Sequence, residues 1–246
     1  IAINHLEDHA LSIRLEQDIN YSYLLLLVSG GHTEFTIIKN FNSYKRIGTT
    51  IDDALGEAFD KTARLLKLGY PGGPEIEKYA ALGDENRFQL PMPLIRESNA
   101  HFSFAGLKSA VANIVAKNRC TEKFKKDMAA SFQATINKII FTKTQNAIRE
   151  YKRLIKSKKT LKVVVAGGVA ANKSIRNSLK ALESMENCQF LFPSIKYCTD
   201  NGAMIALAGI ERFERKKFNN LNFKPRPRWP LDKNAVFMKG KRAVGG

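Results

Sequence analysis

The sequence predicts an α/β fold. Three observations carry that prediction. An apolar run, Leu161-Lys-Val-Val-Val-Ala166, is followed by Gly167-Gly168 and then by a helical pattern, the strand–glycine–helix unit of α/β folds. Two apolar runs at 23–28 and 33–38 flank Ser29-Gly-Gly-His32, which reads as a hairpin with a glycine turn. Residues 52–67 place Leu55, Phe59, Ala63 and Leu66 on one stripe of a helix.

The remaining elements follow in chain order. Ile3, Leu6, Ala10 and Ile13 recur at helical spacing, so residues 2–16 are expected to form a short helix. Gly69-Tyr-Pro-Gly-Gly-Pro74 stops the 52–67 helix and makes a loop, and another helix is expected from about Glu75. Residues 84–106, with Pro91 and Pro93, read as irregular. Residues 124–156 contain a long helix carrying Met128, Phe132, Ile136, Ile139 and Ile140. A helix is expected from about Asn172, then a strand at 188–192. Thr199-Asp200-Asn201 offers caps for a last helix running to Phe213, and 218–246 reads as irregular surface.

Composition narrows the function. The chain has 246 residues, 44% apolar and 26% charged, the mix of a globular protein. Its longest unbroken apolar stretches, 23–28 and 203–208, fall far short of the ~20 residues a membrane helix needs, so no spanning segment is expected, and without a basic amphipathic helix bearing an aromatic-rich apolar face no membrane binding is expected either. Three cysteines without CxxC spacing exclude a disulfide scaffold and an all-cysteine zinc site, and suit a reducing, cytoplasmic setting. The net charge is +17, unevenly spread: residues 1–100 carry 10 basic and 14 acidic side chains, and residues 101–246 carry 30 and 9. A segment this basic should attract a polyanion.

Four patterns can carry chemistry. His5 and His9 lie four apart, which puts two imidazoles on one helical face within reach of one metal. Asp200 is a candidate third, anionic ligand, although by sequence alone a plain N-cap is the favoured reading. The Ser29–His32 turn exposes backbone N–H groups that can cradle a phosphate, or serves only as a hairpin turn. Gly167-Gly168 admits a ligand close to the backbone at a helix start, or admits a closely packed helix. It is not GxGxxG, so a dinucleotide site of that type is unsupported.

Taken together, the motifs resemble the bacterial tRNA N6-adenosine threonylcarbamoyltransferase family of the actin-like ATPase superfamily. The matching stretches, in order, are His5-Leu-Glu-Asp-His9, Leu27-Val-Ser-Gly-Gly-His-Thr33, Ile51-Asp-Asp-Ala-Leu-Gly-Glu-Ala-Phe-Asp-Lys61, Tyr70-Pro-Gly-Gly-Pro74, Phe102-Ser-Phe-Ala-Gly-Leu-Lys108, Ala166-Gly-Gly-Val-Ala-Ala-Asn172, Thr199-Asp-Asn-Gly-Ala-Met-Ile-Ala206 and Arg226-Pro-Arg-Trp-Pro230. Any one is weak; eight in order across nearly the whole chain are specific.

The resemblance implies an actin-like ATPase (ribonuclease-H-like) fold with its second half nearly complete and its first half largely missing. Residues 1–20 would be the remnant of the first half, 21–198 the second half with a helical insertion, and 199–246 the returning C-terminal helix and tail. Open sheet edges and exposed apolar surface are expected where the first half's strands would pair.

The resemblance further implies one metal, iron or zinc, on His5, His9 and Asp200. It implies substrate contacts at Leu27, Val28, Ser29, Gly30, Gly31, Asp60, Gly73 and Asn172. Glu77 stands where some members have Asp, for a hydroxyl or ribose contact. The implied reaction moves threonylcarbamoyl from threonylcarbamoyl-adenylate to N6 of adenosine 37 in tRNAs reading codons that start with A. The implied partners are tRNA, a paralogous non-catalytic subunit and a P-loop ATPase. From charge alone, Arg149, Lys152, Arg153, Lys156, Arg226 and Arg228 are candidates for the tRNA backbone. The competing readings are an inactive paralogue that binds tRNA or partner subunits, a sugar-kinase-like phosphotransferase, and a metalloprotease. Against the last, a zincin needs Glu directly after the first His, where Leu6 stands.

Overall fold

In the computed structural model, residues 1–157, 159–227 and 229–236 are described. The chain opens with α1 (His5–Leu11), continued by a 3-10 turn at Ser12–Leu15. Three strands follow, β1 (Tyr23–Val28), β2 (Thr33–Asn40) and β3 (Ser43–Thr49). Next come α2 (Leu55–Leu65), α3 (Gly72–Ala80), α4 (Ala105–Ala116) and the long α5 (Glu122–Ile155). The described elements end with β4 (Leu161–Ala166), α6 (Lys173–Lys180), α7 (Leu182–Glu186), β5 (Cys188–Leu191) and α8 (Gly202–Glu214).

The five strands form one sheet in the order β3-β2-β1-β4-β5. β1 pairs antiparallel with β2 and parallel with β4, so the glycine hairpin and the strand–glycine–helix unit lie side by side. β1 reads Tyr-Leu-Leu-Leu-Leu-Val because both its faces are covered. Leu24, Leu26 and Val28 enter the larger core under the α2–α6 helices, while Tyr23, Leu25 and Leu27 enter a second core under α1. α8 packs beside α1 on that second face, joined to it by the Arg212–Glu7 and Arg14–Glu211 ion pairs. α1 and α8 thus build one layer.

Two elements differ from the sequence expectation. β3 is an edge strand whose polar residues, Ser-Tyr-Lys-Arg-Ile-Gly-Thr, show no two-residue alternation; pairing with β2 makes it a strand. α4 begins inside the stretch expected to be irregular. Its first amides are capped from far away in sequence: Phe104 N donates to Asp52 Oδ1 at 2.7 Å and Ala105 N to the same oxygen at 3.3 Å. Helix starts also shift, α2 beginning at Leu55 and α3 at Gly72 rather than near Glu75.

Exposed large apolar side chains are spread over several elements and loops, Tyr70, Met185 and Leu221 among them, and α8 contributes three. Met204 and Ala208 face α1, whereas Ile205, Ile210 and Phe213 are exposed. Among the described residues the sheet ends at β3 on one side and β5 on the other. No helix among the described residues is long and apolar enough to cross a membrane. All three cysteines are free thiols.

Candidate metal centre and substrate cleft

α1 is positioned by its own cap. Asn4 Oδ1 accepts from Leu6 N at 2.9 Å, and the first helical residue is His5. One turn on, His9 is 3% exposed at its side chain, against 49% for His5. Asp200 arrives from the loop before α8. It does not cap that helix: Asn201 does, its Oδ1 accepting from Met204 N at 3.0 Å. Asp200 is therefore free to face the histidines. Its Oδ1 lies 3.2 Å from His9 Nε2 and 3.5 Å from His5 Nε2.

The donor atoms of these three residues all lie within 4.8 Å of one another. Two imidazole nitrogens and one carboxylate oxygen are a donor set suited to a divalent transition metal. Burial, with His5 beside it, pushes His9 down to about 4, so near neutrality it keeps the unprotonated nitrogen that a metal requires. Behind His5, Asp8 Oδ2 stands 3.4 Å from Nδ1 and orients that ring, and burial raises the Asp8 carboxyl to about 6.

Of the three, His5 lines a cleft of about 990 Å³, together with Gly31, His32, Glu34 and Arg46. The Ser29–His32 turn forms one rim. Ser29 N donates to the His32 carbonyl at 2.8 Å and His32 N to Ser29 Oγ at 3.1 Å. A Cβ added at Gly30 or Gly31 would meet open space, so the turn presents bare backbone. Beneath it, a Cβ on Gly56 would come within 2.7 Å of the Ser29 carbonyl, so the start of α2 sits against the turn. Gly167 takes φ +95°, and a Cβ there would strike the Val28 carbonyl at 2.4 Å. That glycine is needed both for its left-handed backbone and for close approach to β1.

Of the other predicted contacts, Gly30 and Asp60 share a cavity, and Glu77 and Asn172 meet at the start of α6. Gly30 and Asp60 line a second cavity of about 570 Å³ with Arg64, Lys67 and Tyr70. Asp60 Oδ1 accepts from Gly72 N at 2.8 Å, which pins the glycine loop, and Gly73 is open to space. Asn172 caps α6 through Ile175 N at 2.9 Å and donates to Gln133 Oε1 at 2.9 Å. Glu77 Oε1 accepts from Lys173 N at 2.6 Å, joining α3 to the same helix start. Leu27 and Val28 are buried at the end of β1, their side chains in opposite cores. Only their backbone borders the turn.

Sequence reasoning did not single out His32, Glu34 or Gln133. His32 sits inside the quoted glycine motif, and burial together with His5 lowers its basicity. Gln133 lies on a helix stripe that shows no polar pattern. Glu34 is 6% exposed and accepts from Thr36 Oγ1 at 3.1 Å; burial raises its carboxyl above the ordinary 4.5. The folded state therefore holds this proton to higher pH than the unfolded chain does. Its stabilising effect is full below the ordinary value and is lost as pH rises through the raised one. A Glu34→Gln variant should melt above the parent at pH 7.5, with the gap closing towards pH 4. Thermal melts across that range check this, and a gap independent of pH would refute it.

The basic candidates fall in two places. Arg149 and Lys152 pair with Glu186 at 3.4 and 3.1 Å, and Arg153 pairs with Glu150 at 2.7 Å. Lys156 is exposed at the end of α5. Tyr151 bonds Ser22 at 2.7 Å just before β1, so this run lies at the far end of that strand from the glycine turn, about 20 Å away. Arg226 lines the cleft itself. Arg228 lies outside the described residues.

The model of the tRNA N6-adenosine threonylcarbamoyltransferase family matches residues 1–207. The chain belongs to that family. A Pelagibacter ubique protein of that name is 53% identical over 240 residues, which cover 98% of this chain and 67% of the relative. Proteins of the same name from Rickettsia massiliae and Brucella suis are 48% and 47% identical, each covered over 68% of its length by 94% and 99% of this chain. The chain thus spans about two thirds of these relatives. Among solved structures, full-length HypF in its phosphate- and nucleotide-bound form aligns with TM-score 0.61 at 14% identity, over 89% of this chain and 37% of that one. HypF from T. kodakarensis aligns with TM-score 0.58 at 13% identity, over 85% and 37%. This likeness shows the fold, which is the actin-like one.

Proposed function

We propose that the chain performs its family's transfer, moving threonylcarbamoyl from threonylcarbamoyl-adenylate to N6 of adenosine 37 in tRNAs reading codons that start with A. The observation that carries this reading is the glycine turn, whose Gly31 lines the cleft that His5 enters and whose Gly30 lines the Asp60 cavity. A mixed anhydride lying across that turn puts its acyl end beside the histidines and its adenosine towards Asp60, Gly73, Glu77 and Asn172. The bare Gly30 and Gly31 backbone takes the phosphate between them. Arg64 and Lys67 add positive charge at that point.

Iron(II) or zinc on His5, His9 and Asp200 would supply Lewis acidity and an anchor for the donor. The protein's own residues position the reactants. N6 of the adenosine forms the new C–N bond at the carbamoyl carbon, the C–O bond to phosphate breaks, and AMP departs with that electron pair. N6 gives its proton to the departing phosphate or to solvent. An exocyclic amine is a poor nucleophile, so orientation and charge stabilisation must carry most of the acceleration.

Arg149, Lys152, Arg153, Lys156 and Arg226 serve the tRNA backbone, a folded tRNA being long enough to reach both groups. Arg228 joins them by sequence. A paralogous non-catalytic subunit and a P-loop ATPase act with the chain in the cytoplasm. Nucleoside mass spectrometry of unmodified tRNA incubated with the chain, those subunits and preformed donor should show threonylcarbamoyladenosine. No product from a folded chain would favour a non-catalytic tRNA- or subunit-binding role.

A further inference from the structure

Beyond α8 the tail has a shape as well as a charge. Phe223, Arg226 and Trp229 line the His5 cleft and also an adjoining cavity of about 730 Å³. The two rings lie 5.6 Å apart, tilted by 39°. The Arg226 guanidinium carbon stands 5.5 Å from the Phe223 ring centre and 5.3 Å from that of Trp229. Both rings are half-buried and Arg226 is exposed.

The wall is tied down. Asn4 Nδ2 donates to the Trp229 carbonyl at 2.7 Å, and the same Asn4 caps the helix that carries His5 and His9. Leu231 is buried in the second core, and Asp232 Oδ2 accepts from Arg46 N at 3.0 Å. The aromatic pair is thereby fixed relative to the histidines. The adjoining cavity also has Lys224, Lys233 and several asparagines in its wall, and no carboxylate among its described lining residues. Half-buried rings beside a guanidinium, in a cationic and amide-rich hollow, are the surroundings in which proteins stack unpaired nucleobases.

We propose that Phe223, Arg226 and Trp229 form a nucleobase platform, on which an unstacked base of the substrate RNA rests as the reactive adenosine enters the His5 cleft. This rests on the reading that the chain modifies an adenosine of tRNA. Stacking on the rings gives sequence-tolerant affinity, while the cation over them strengthens the contact with a base face. The tether through Asn4 sets how far that base sits from His5.

Trp229 is the single tryptophan of the chain, so its emission reports this site alone. Titration with an unmodified anticodon stem-loop RNA should quench that emission saturably, by about half or more, at the midpoint given by anisotropy of the labelled RNA. Trp229→Leu should weaken binding roughly 5- to 100-fold, the loss of one base–aromatic stack, and Trp229→Phe should restore most of it. A purely structural tryptophan would leave its emission unmoved by RNA. The platform is overturned by RNA that binds without changing the emission, by RNA that does not bind, or by a Trp229→Leu chain that binds as tightly as the parent. Modified adenosine formed with unchanged emission would sink the platform alone. A quenched tryptophan with no modified adenosine would keep the platform and sink the transfer.

Discussion

Replacement of Asp200 by alanine should strip the bound metal and lower threonylcarbamoyl transfer by about 100-fold or more, while leaving the fold intact. Asp200 is 73% exposed at its side chain, and its charged contacts are the two histidines. The cap of α8 belongs to Asn201, so the helix keeps its start when Asp200 is shortened. A surface change of this kind moves stability by only about 0.5 kcal/mol. Removing the carboxylate leaves two imidazoles, one of them half-exposed, as the whole of this donor set. Elemental analysis after loading with iron(II) or zinc, product mass spectrometry and a thermal melt measure the three effects separately. A variant that melts normally, holds metal and makes product at the parent's rate would remove Asp200 from the site.

Arg212→Met should cost about 3–5 kcal/mol of stability, the usual penalty for leaving a buried charge without its partner. The Glu7 side chain is 1% exposed, and its Oε2 accepts from Arg212 Nε at 2.9 Å and Nη2 at 2.6 Å. Tyr44 donates to its other oxygen at 2.8 Å. The pair joins α1 to α8, and so joins the helix of the two histidines to the helix that Asp200 precedes. Loosening it should also weaken metal binding. In the Glu7→Gln/Arg212→Met double variant the stranded charge is gone, and much of the loss should be recovered. Urea titrations of the two single variants and the double one close the cycle. Purely additive losses would show that the two side chains do not act together.

Much of this was legible in the residues. The glycine hairpin announced two neighbouring strands, and β1 and β2 pair antiparallel; the 161–166 strand was legible as a strand, and the fold set it on the other side of β1. The unbroken apolar run at 23–28 belongs to a strand covered on both faces. His5 and His9 at helical spacing predict two imidazoles on one face, and one turn of helix delivers that without help from the rest of the fold.

What the residues could not announce depends on groups distant in the chain. Asp200 and Asn201 are equally good caps by type, and the direction of the arriving chain decided that Asn201 caps while Asp200 turns to the histidines. α4 has no cap nearby, because its amides are met by Asp52 from the far side of a loop. The rings of Phe223 and Trp229 look like surface in a proline-rich tail, and it is Asn4, at the other end of the chain, that holds them beside the cleft. Local spacing and apolar runs determined most of the strands and helices and the histidine pair, β3 and the start of α4 excepted, since backbone geometry sets those periods within a few residues. Which side chain meets which across two hundred residues was decided only when the sheet and its two helical layers packed together, because hydrogen bonds and ion pairs form between groups that packing has already brought within reach.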